Sequence, residues 1–343
     1  VSLGFLGGVQ FALDPQARLD YGYNAVGTLT PLAKQIVQRR YGSAPSRSYF
    51  VGCSNGGRQA MVAAARFADQ FDGVVAGDPG FNLPKAAVAE AWDTHQFLSV
   101  SPGNPAGAFT QAEMNTVAAA ITTRCDALDG ATDGLVQNSA ACQSTFNLAT
   151  DVPTCGGARD GSCLTTAQKT ALQAIFDGAQ DSSSNALYNR WPWDPGIAAG
   201  NWRVWKLEAA FLGGNSLNAT LGAGALAYLF STPPFTLANG APSTLLSFMD
   251  TYPFDQANTL INATNATFTT SAMSFMTPPN ATTLAAFKQR GKMIVYHGQA
   301  DPVFSVQDTV DWYDQLRTGD SAAASFARLF VVPGMNHCSG GPT

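Results

Sequence analysis

Apolar residues recur at three- and four-residue steps through Leu19, Tyr23, Val26, Leu29, Ala33, Ile36 and Val37, the period of an amphipathic helix. One long helix is therefore expected over Asp14 to Arg40, with Pro15 in its first turn and Gly42 as its stop. The period then shortens. A β-prone run, Ser48 to Val51, leads into Gly52-Cys53-Ser54-Asn55-Gly56, and a helix-compatible stretch continues from Gln59 to Phe67. Phe71 to Gly77 reads as a second short buried strand. Helix and strand alternating in this way predict an α/β fold with a mostly parallel sheet.

Past Gly80 the character changes. About 200 residues rich in Ala, Thr, Asn and Gly predict irregular helices and few strands, up to about Lys288. The buried-strand pattern resumes at Lys292 to Gly298, followed by a helix from Val306 to Leu316 and a last strand from Ala327 to Val332. The expected organisation is a catalytic core of residues 1–80 and 288–343, interrupted by a lid domain of residues 81–287.

Composition narrows the function classes. The chain has 343 residues, 45% hydrophobic and 13% charged, enough for a large core and not the make-up of a disordered chain. A net charge of −5 gives no basic footprint for nucleic acid. No apolar run is long enough to span a membrane. The chain starts at Val1, and the apolar stretch Val1 to Leu13 lacks the cationic start of a signal peptide. It reads as the interior of a longer protein.

Six cysteines stand at 53, 125, 142, 155, 163 and 338. The close pairs Cys125 with Cys142 and Cys155 with Cys163 suggest local bridges, leaving Cys53 for Cys338. Three disulfides would belong to an oxidising compartment, secreted or periplasmic. Six reduced core thiols in a cytosolic protein are the alternative. No Cys-x-x-Cys is present, which argues against zinc.

The candidate chemistry begins at Gly52-x-Ser54-x-Gly56. Strand, tight turn and helix in that order form a nucleophile elbow, with Gly52 and Gly56 expected to keep Cβ atoms out of the turn. The bare motif is equally compatible with a glycine-rich turn that happens to hold a serine. In α/β-hydrolases an acid and then a histidine follow on the loops after later core strands. Asp301 follows the strand ending at Gly298, and His337 follows the last strand. Ser54, Asp301 and His337 thus have the required order, with Asp308 or Asp311 as alternative acids. His95 falls in the insertion and His297 within a strand, so neither suits the base. Cys53 precedes Ser54 and Cys338 follows His337. A bridge between them would hold base beside nucleophile, a check independent of the motif.

Within the insertion, Asp126, Asp129 and Asp133 lie in one glycine-bearing loop, Cys125 to Leu135. Their oxygens, with the carbonyls of Ala131 and Leu135, suit Ca²⁺. An Asp-rich turn is the competing reading, and Ala140 stands where an EF-hand would close with Glu. Trp191, Trp193, Trp202, Trp205, Phe211, Tyr228, Phe230 and Phe235 could line an aromatic pocket or form the lid's own core. No Lys or Arg occurs between Lys206 and Lys288, so that stretch offers no cation to a substrate carboxylate. Asn218, Asn262, Asn265 and Asn280 each begin Asn-x-Thr, a glycan signal only in a eukaryotic secretory setting.

These residues together resemble the tannase and feruloyl esterase family of α/β-hydrolases, which also includes bacterial MHET hydrolases. The resemblance is carried by Gly52 to Gln59, by His297-Gly298 through Asp301-Pro302, and by Asn336-His337-Cys338. Asp14 to Arg18, Phe71 to Gly77, Pro192 to Gly196 and Thr232 to Pro234 extend it through essentially the whole chain. It implies a Ser54, Asp301 and His337 triad clamped by Cys53–Cys338. It also implies a structural Ca²⁺ held by Asp126, Asp129, Ala131, Asp133 and Leu135, and no organic cofactor. The implied activity is serine ester hydrolysis through an acyl-enzyme. Expected substrates are small aromatic esters, feruloyl or galloyl, or plant polyphenol and polysaccharide esters; a terephthalate monoester is the runner-up. A non-catalytic Ca²⁺-dependent binding domain on the same scaffold is the alternative from another class. The backbone N–H of Asn55 would be one oxyanion donor. The family carries further strands before Asp14 and a tail after His337, neither of which is expected here. Gly7-Gly8 is a candidate second donor, against which stands the lack of a strand between it and the elbow strand.

Overall fold

The computed structural model of the chain describes residues 9–342. Four strands, β1 (Tyr49–Cys53), β2 (Gly73–Gly77), β3 (Lys292–Gly298) and β4 (Ala327–Val332), form one sheet in the order β1-β2-β3-β4. Every pairing is parallel, with Val51 beside Val75, Val75 beside Ile294 and Ile294 beside Arg328. Parallel strands share one carboxyl edge, so the loops leaving all four strands emerge side by side, where open α/β sheets bind ligands. The α/β-hydrolase expectation holds at this level. Strands β3 and β4 have the predicted bounds, and β2 begins two residues later than the pattern suggested, at Gly73.

One sheet face is buried. Val74, Met293, Val295 and Ala327 pack with Met61, Phe287, Trp312 and Leu316, on the helices that return beside the strands. The other face leaves Tyr49, Val51, Ile294 and Phe330 exposed among the described residues. Between β2 and β3 the described residues contain no strand, only isolated bridges at Thr154 with Leu164 and Gln180 with Ala186. This helical segment has its own core, with Phe97, Phe109, Met114, Ile121 and Leu172 fully enclosed. Its central helix, Leu83–Val100, is buried along most of its length. Ala86, Ala87, Ala89 and Ala91 let neighbouring helices approach it closely.

The first helix departs from expectation. Its start is as predicted, with Asp14 capping Gln16 N–H and Pro15 in the first turn. A π-turn at Asp20–Asn24 then interrupts it before Ala25–Tyr41. Two contacts account for the interruption. Gly22 lets the Phe275 carbonyl come so near that a Cβ would lie 2.6 Å from it. The Arg58 guanidinium donates to the carbonyls of Gly22 and Tyr21, at 2.8 and 3.2 Å. The predicted apolar stripe is also not a buried one, since Val26 is enclosed but Leu29 and Ile36 are exposed.

Candidate active site

The turn after β1 is built by backbone geometry. Ser54 has φ +65° and ψ −126°, a conformation most side chains avoid and one found at functional sites. Its N–H donates to the Gly77 carbonyl, and its own carbonyl accepts from Arg58 N–H. The helix begins at Asn55 and runs to Arg66, four residues earlier than the sequence pattern placed it. A Cβ on Gly52 would lie 2.5 Å from the Gly56 carbonyl, and one on Gly57 would collide with the Gly77 carbonyl. A Cβ on Gly56 would meet nothing within 4 Å. The glycines the turn requires are therefore Gly52 and Gly57, correcting the reading that gave this role to Gly56. The Asn55 N–H is the first of the helix and has no intrahelical acceptor. Its side chain is held by Arg58 Nε at 2.8 Å.

The loop after β3 carries Asp301, 2% exposed. One carboxylate oxygen accepts from the N–H groups of Val303 and Phe304, at 2.7 and 3.1 Å. The other lies 2.8 Å from His337 Nδ1 and 3.3 Å from His297 Nε2. Burial alone would raise this carboxyl, but the two imidazoles outweigh it and hold Asp301 well below the usual carboxylate range. His297 itself is enclosed, with Nδ1 on the Thr309 hydroxyl at 2.8 Å and Nε2 on the Phe304 carbonyl at 3.1 Å. The other candidate acids point elsewhere. Asp308 accepts from Asn82 and Asn189, and Asp311 from Gln307. His95 pairs with Asp250, away from Asp301.

His337 follows β4 between two aromatic rings, with Trp205 at 4.9 Å and Phe304 at 5.3 Å between centroids. Its Nε2 is buried and has no hydrogen-bond partner among the described residues. The residues on either side of the junction are covalently joined: Cys53 is bonded to Cys338, with the Cα atoms 6.0 Å apart. Ser54 and His337 are thereby neighbours, although no hydrogen bond joins the Ser54 hydroxyl to Nε2. The other two bridges are Cys125–Cys142 and Cys155–Cys163, the three pairs the spacing suggested. Asp194, from Trp193-Asp194-Pro195-Gly196, braces this arrangement. It accepts from Gln299 Nε2 at 2.9 Å and from Gly334 N–H at 3.1 Å, tying the Asp301 loop to the His337 loop.

Sequence reasoning missed Asp78. It leaves β2 with φ +38° and is fully enclosed. Its carboxyl accepts from Gly298 N–H at 2.8 Å and lies 3.5 Å from Cys53 Sγ. Its oxygen, one of Asp301 and a nitrogen of His337 all lie within 4.8 Å of one another. Burial, and then the charge of Asp301, push Asp78 up to about 7. Its position as the first residue past a core strand was the available signal.

A cavity of ≈ 340 Å³ opens between the elbow and the helical segment, with Ser54, Asn55, Trp205, Phe230 and Phe304 in its walls. That volume suits a small organic ligand. Of the eight aromatics singled out, Trp205 and Phe230 line it. Trp193 instead stacks on Phe176 at 3.8 Å, and Trp191 carries Lys206 over its ring at 4.0 Å. Trp202 is core, Phe235 packs on Phe248 and Phe211 is exposed. Tyr228 is buried and its hydroxyl accepts from Leu237 N–H. Gly7-Gly8 lies outside the described residues. Asn218 is buried with its amide on the Pro302 carbonyl, so it is no glycan acceptor.

The acidic loop keeps its carboxylates on its own backbone. Asp126 accepts from Gly134 N–H at 2.9 Å, Asp129 from Ala131 and Gln137 at 3.0 and 2.8 Å, and Asp133 from Leu135 at 3.0 Å. The three carboxylates do not come within 4.8 Å of one another as a set. The donor chemistry, all hard oxygen, is of the kind Ca²⁺ takes, and holding the ion would require the three side chains to converge.

A model of the family described as "Tannase and feruloyl esterase" matches residues 4–343. The chain belongs to the tannase and feruloyl esterase family. It is 42% identical to a mono(2-hydroxyethyl) terephthalate hydrolase of Piscinibacter sakaiensis, covering 98% of this chain and 59% of that protein. A probable feruloyl esterase B-1 of Aspergillus oryzae is 27% identical over 97% of this chain and 56% of its own length. The crystal structure of feruloyl esterase B from Aspergillus oryzae superposes with a TM-score of 0.72 at 25% identity, covering 97% of this chain and 61% of that one. The chain thus spans less than two thirds of the length of these tannase and feruloyl esterase relatives. No helix among its described residues is long and apolar enough to cross a membrane.

Proposed function

We propose that the chain is a serine carboxylesterase acting on aromatic acid esters, with Ser54 as nucleophile, His337 as base and Asp301 as the group that orients the base. The Ser54 hydroxyl attacks the ester carbonyl as His337 Nε2 takes its proton. The N–H of Asn55 stabilises the oxyanion, and His337 returns the proton to the departing alkoxide. Water, deprotonated by the same nitrogen, then releases the acid and restores Ser54. Asp301 keeps the Nδ1–H tautomer and offsets the imidazolium charge. The observation that carries this reading is a histidine held at Nδ1 by Asp301, its Nε2 without a partner among the described residues, and its neighbour Cys338 bridged to Cys53 beside a strained serine on a cavity wall.

The segment 81–287 serves as a lid bearing the aromatic wall, and Ca²⁺ held by Asp126, Asp129 and Asp133 with the carbonyls of Ala131 and Leu135 stiffens its loop. Three disulfides support a secreted or periplasmic location. Terephthalate monoester hydrolysis is the second reading, favoured by the 42% identity to a protein of that name. Against it, no lysine or arginine is among the cavity's described lining residues. The test is hydrolysis of methyl ferulate, methyl gallate and mono(2-hydroxyethyl) terephthalate by the chain and by Ser54→Ala. Turnover of the first two, abolished by Ser54→Ala, is expected; equal inertness of both proteins on all three esters rejects the reading.

A further inference from the structure

Glu90 sits in the middle of the helix Leu83–Val100, is 7% exposed, and lines the same cavity as Ser54. Its carboxyl makes no hydrogen bond among the described residues, and its oxygens are accessible from the cavity. Space has been kept for it. A Cβ on Gly222, across the cavity wall, would collide with Glu90 Oε2. Nor does Glu90 anchor a salt bridge among the described residues. The nearby cation, Lys206, is paired with Asp93 one turn further along the helix. The cavity that Glu90 lines is mostly apolar, with Ala87, Leu221, Ala225 and Phe230 in its walls, although Thr220 also lines it.

Building on the esterase reading, we propose that Glu90 is the specificity-determining residue of the cavity, hydrogen-bonding a hydroxyl on the aromatic part of the substrate. Burial pushes its carboxyl well above the ordinary range; Lys206 opposes the shift, and the charges of Asp93 and Asp301 add to it. A neutral carboxyl both donates and accepts, as a phenolic hydroxyl does. A substrate carboxylate would instead find Lys206 already paired with Asp93 and would be buried within the field of Asp301, at a heavy desolvation cost. The favoured class is hydroxylated aromatic esters, and the disfavoured class is aromatic esters bearing a free carboxylate.

Binding separates this inference from the esterase reading. The probes are 4-hydroxycinnamamide and cinnamamide, titrated calorimetrically into the Ser54→Ala chain with and without Glu90→Leu or Glu90→Gln. The hydroxylated amide is expected to bind about tenfold more tightly, the worth of one well-made buried hydrogen bond. Glu90→Leu should bring the ratio of affinities to about one, while Glu90→Gln, which still donates and accepts, retains most of it. A ratio near one in the Ser54→Ala parent, or a ratio unchanged by Glu90→Leu, overturns the role of Glu90. Absence of hydrolysis by the wild type, with the affinity ratio intact, would reject the esterase reading and leave the Glu90 inference standing.

Discussion

Replacing Cys53 and Cys338 together by serine should damage both stability and rate, and the two effects have separate causes. The bridge joins residues 285 apart. In the chain-entropy account, opening such a loop costs about 5–6 kcal/mol at 25 °C, against about 2–3 kcal/mol for the Cys155–Cys163 loop, which spans only 8 residues. The larger figure rivals the whole stability of many domains, about 5–15 kcal/mol, and is an upper bound because unfolded chains retain structure. The loop carrying His337 keeps other ties, through Asn336 to the carbonyls of Gly196 and Ala300 and Gly334 to Asp194. The base is therefore loosened and not lost, and a misplacement of about 1 Å costs about 10²-fold in rate. Urea unfolding of both double variants, with kcat on methyl ferulate at a urea-free low temperature, measures each part. If the Cys53/Cys338 variant unfolds no earlier than the Cys155/Cys163 variant and keeps the wild-type kcat, the clamp argument is refuted.

Asp301→Asn should lower kcat by about 10⁴-fold, because an amide donating to Nδ1 leaves the proton on Nε2; a loss below tenfold would remove Asp301 from the role assigned to it. Asp78→Asn should stabilise the chain at alkaline pH. The folded state holds the Asp78 proton up to about 7, whereas an unfolded aspartate releases it near 4, so stability falls as pH rises between those values. Thermal melts should show Asp78→Asn gaining on wild type from pH 5 to pH 8, and a constant difference would contradict the assignment. Calcium added to chelator-treated protein at about 100 times its Kd should stabilise it by about 2.7 kcal/mol. Asp126→Asn with Asp129→Asn should abolish that rise in Tm, and a chain indifferent to calcium would leave the loop an Asp-rich turn.

The legible part of the fold was the part fixed by local period. Runs such as Lys292 to Gly298 and Ala327 to Val332 are short, β-branched and bounded, and they are strands with those bounds. Asp301 and His337 could be named because parallel strands deliver the residues after their carboxyl ends to one edge. What local pattern cannot carry is a partner from far along the chain. The π-turn at Asp20–Asn24 depends on Arg58 and Phe275, and neither is visible from the helix's own period. The Gly52-x-Ser54-x-Gly56 spelling does not reveal which glycine faces the β2 carbonyl, so Gly57 went unread. Asp78 and Glu90 are single acids in unremarkable surroundings, and only the tertiary fold puts one behind His337 and the other on the cavity wall. The aromatic cluster shows the same limit: composition brought eight rings together, and packing alone sorts Trp205 and Phe230 from the rest.

The proposed chemistry requires Ser54 to be a nucleophile activated by His337. Its most direct test is incubation with a fluorophosphonate ester, followed by mass mapping of the chain and of His337→Ala. A single adduct on the peptide containing Ser54, formed far more slowly in His337→Ala, is the predicted result. An unlabelled Ser54 in folded protein, or labelling at the same rate without the histidine, would contradict it.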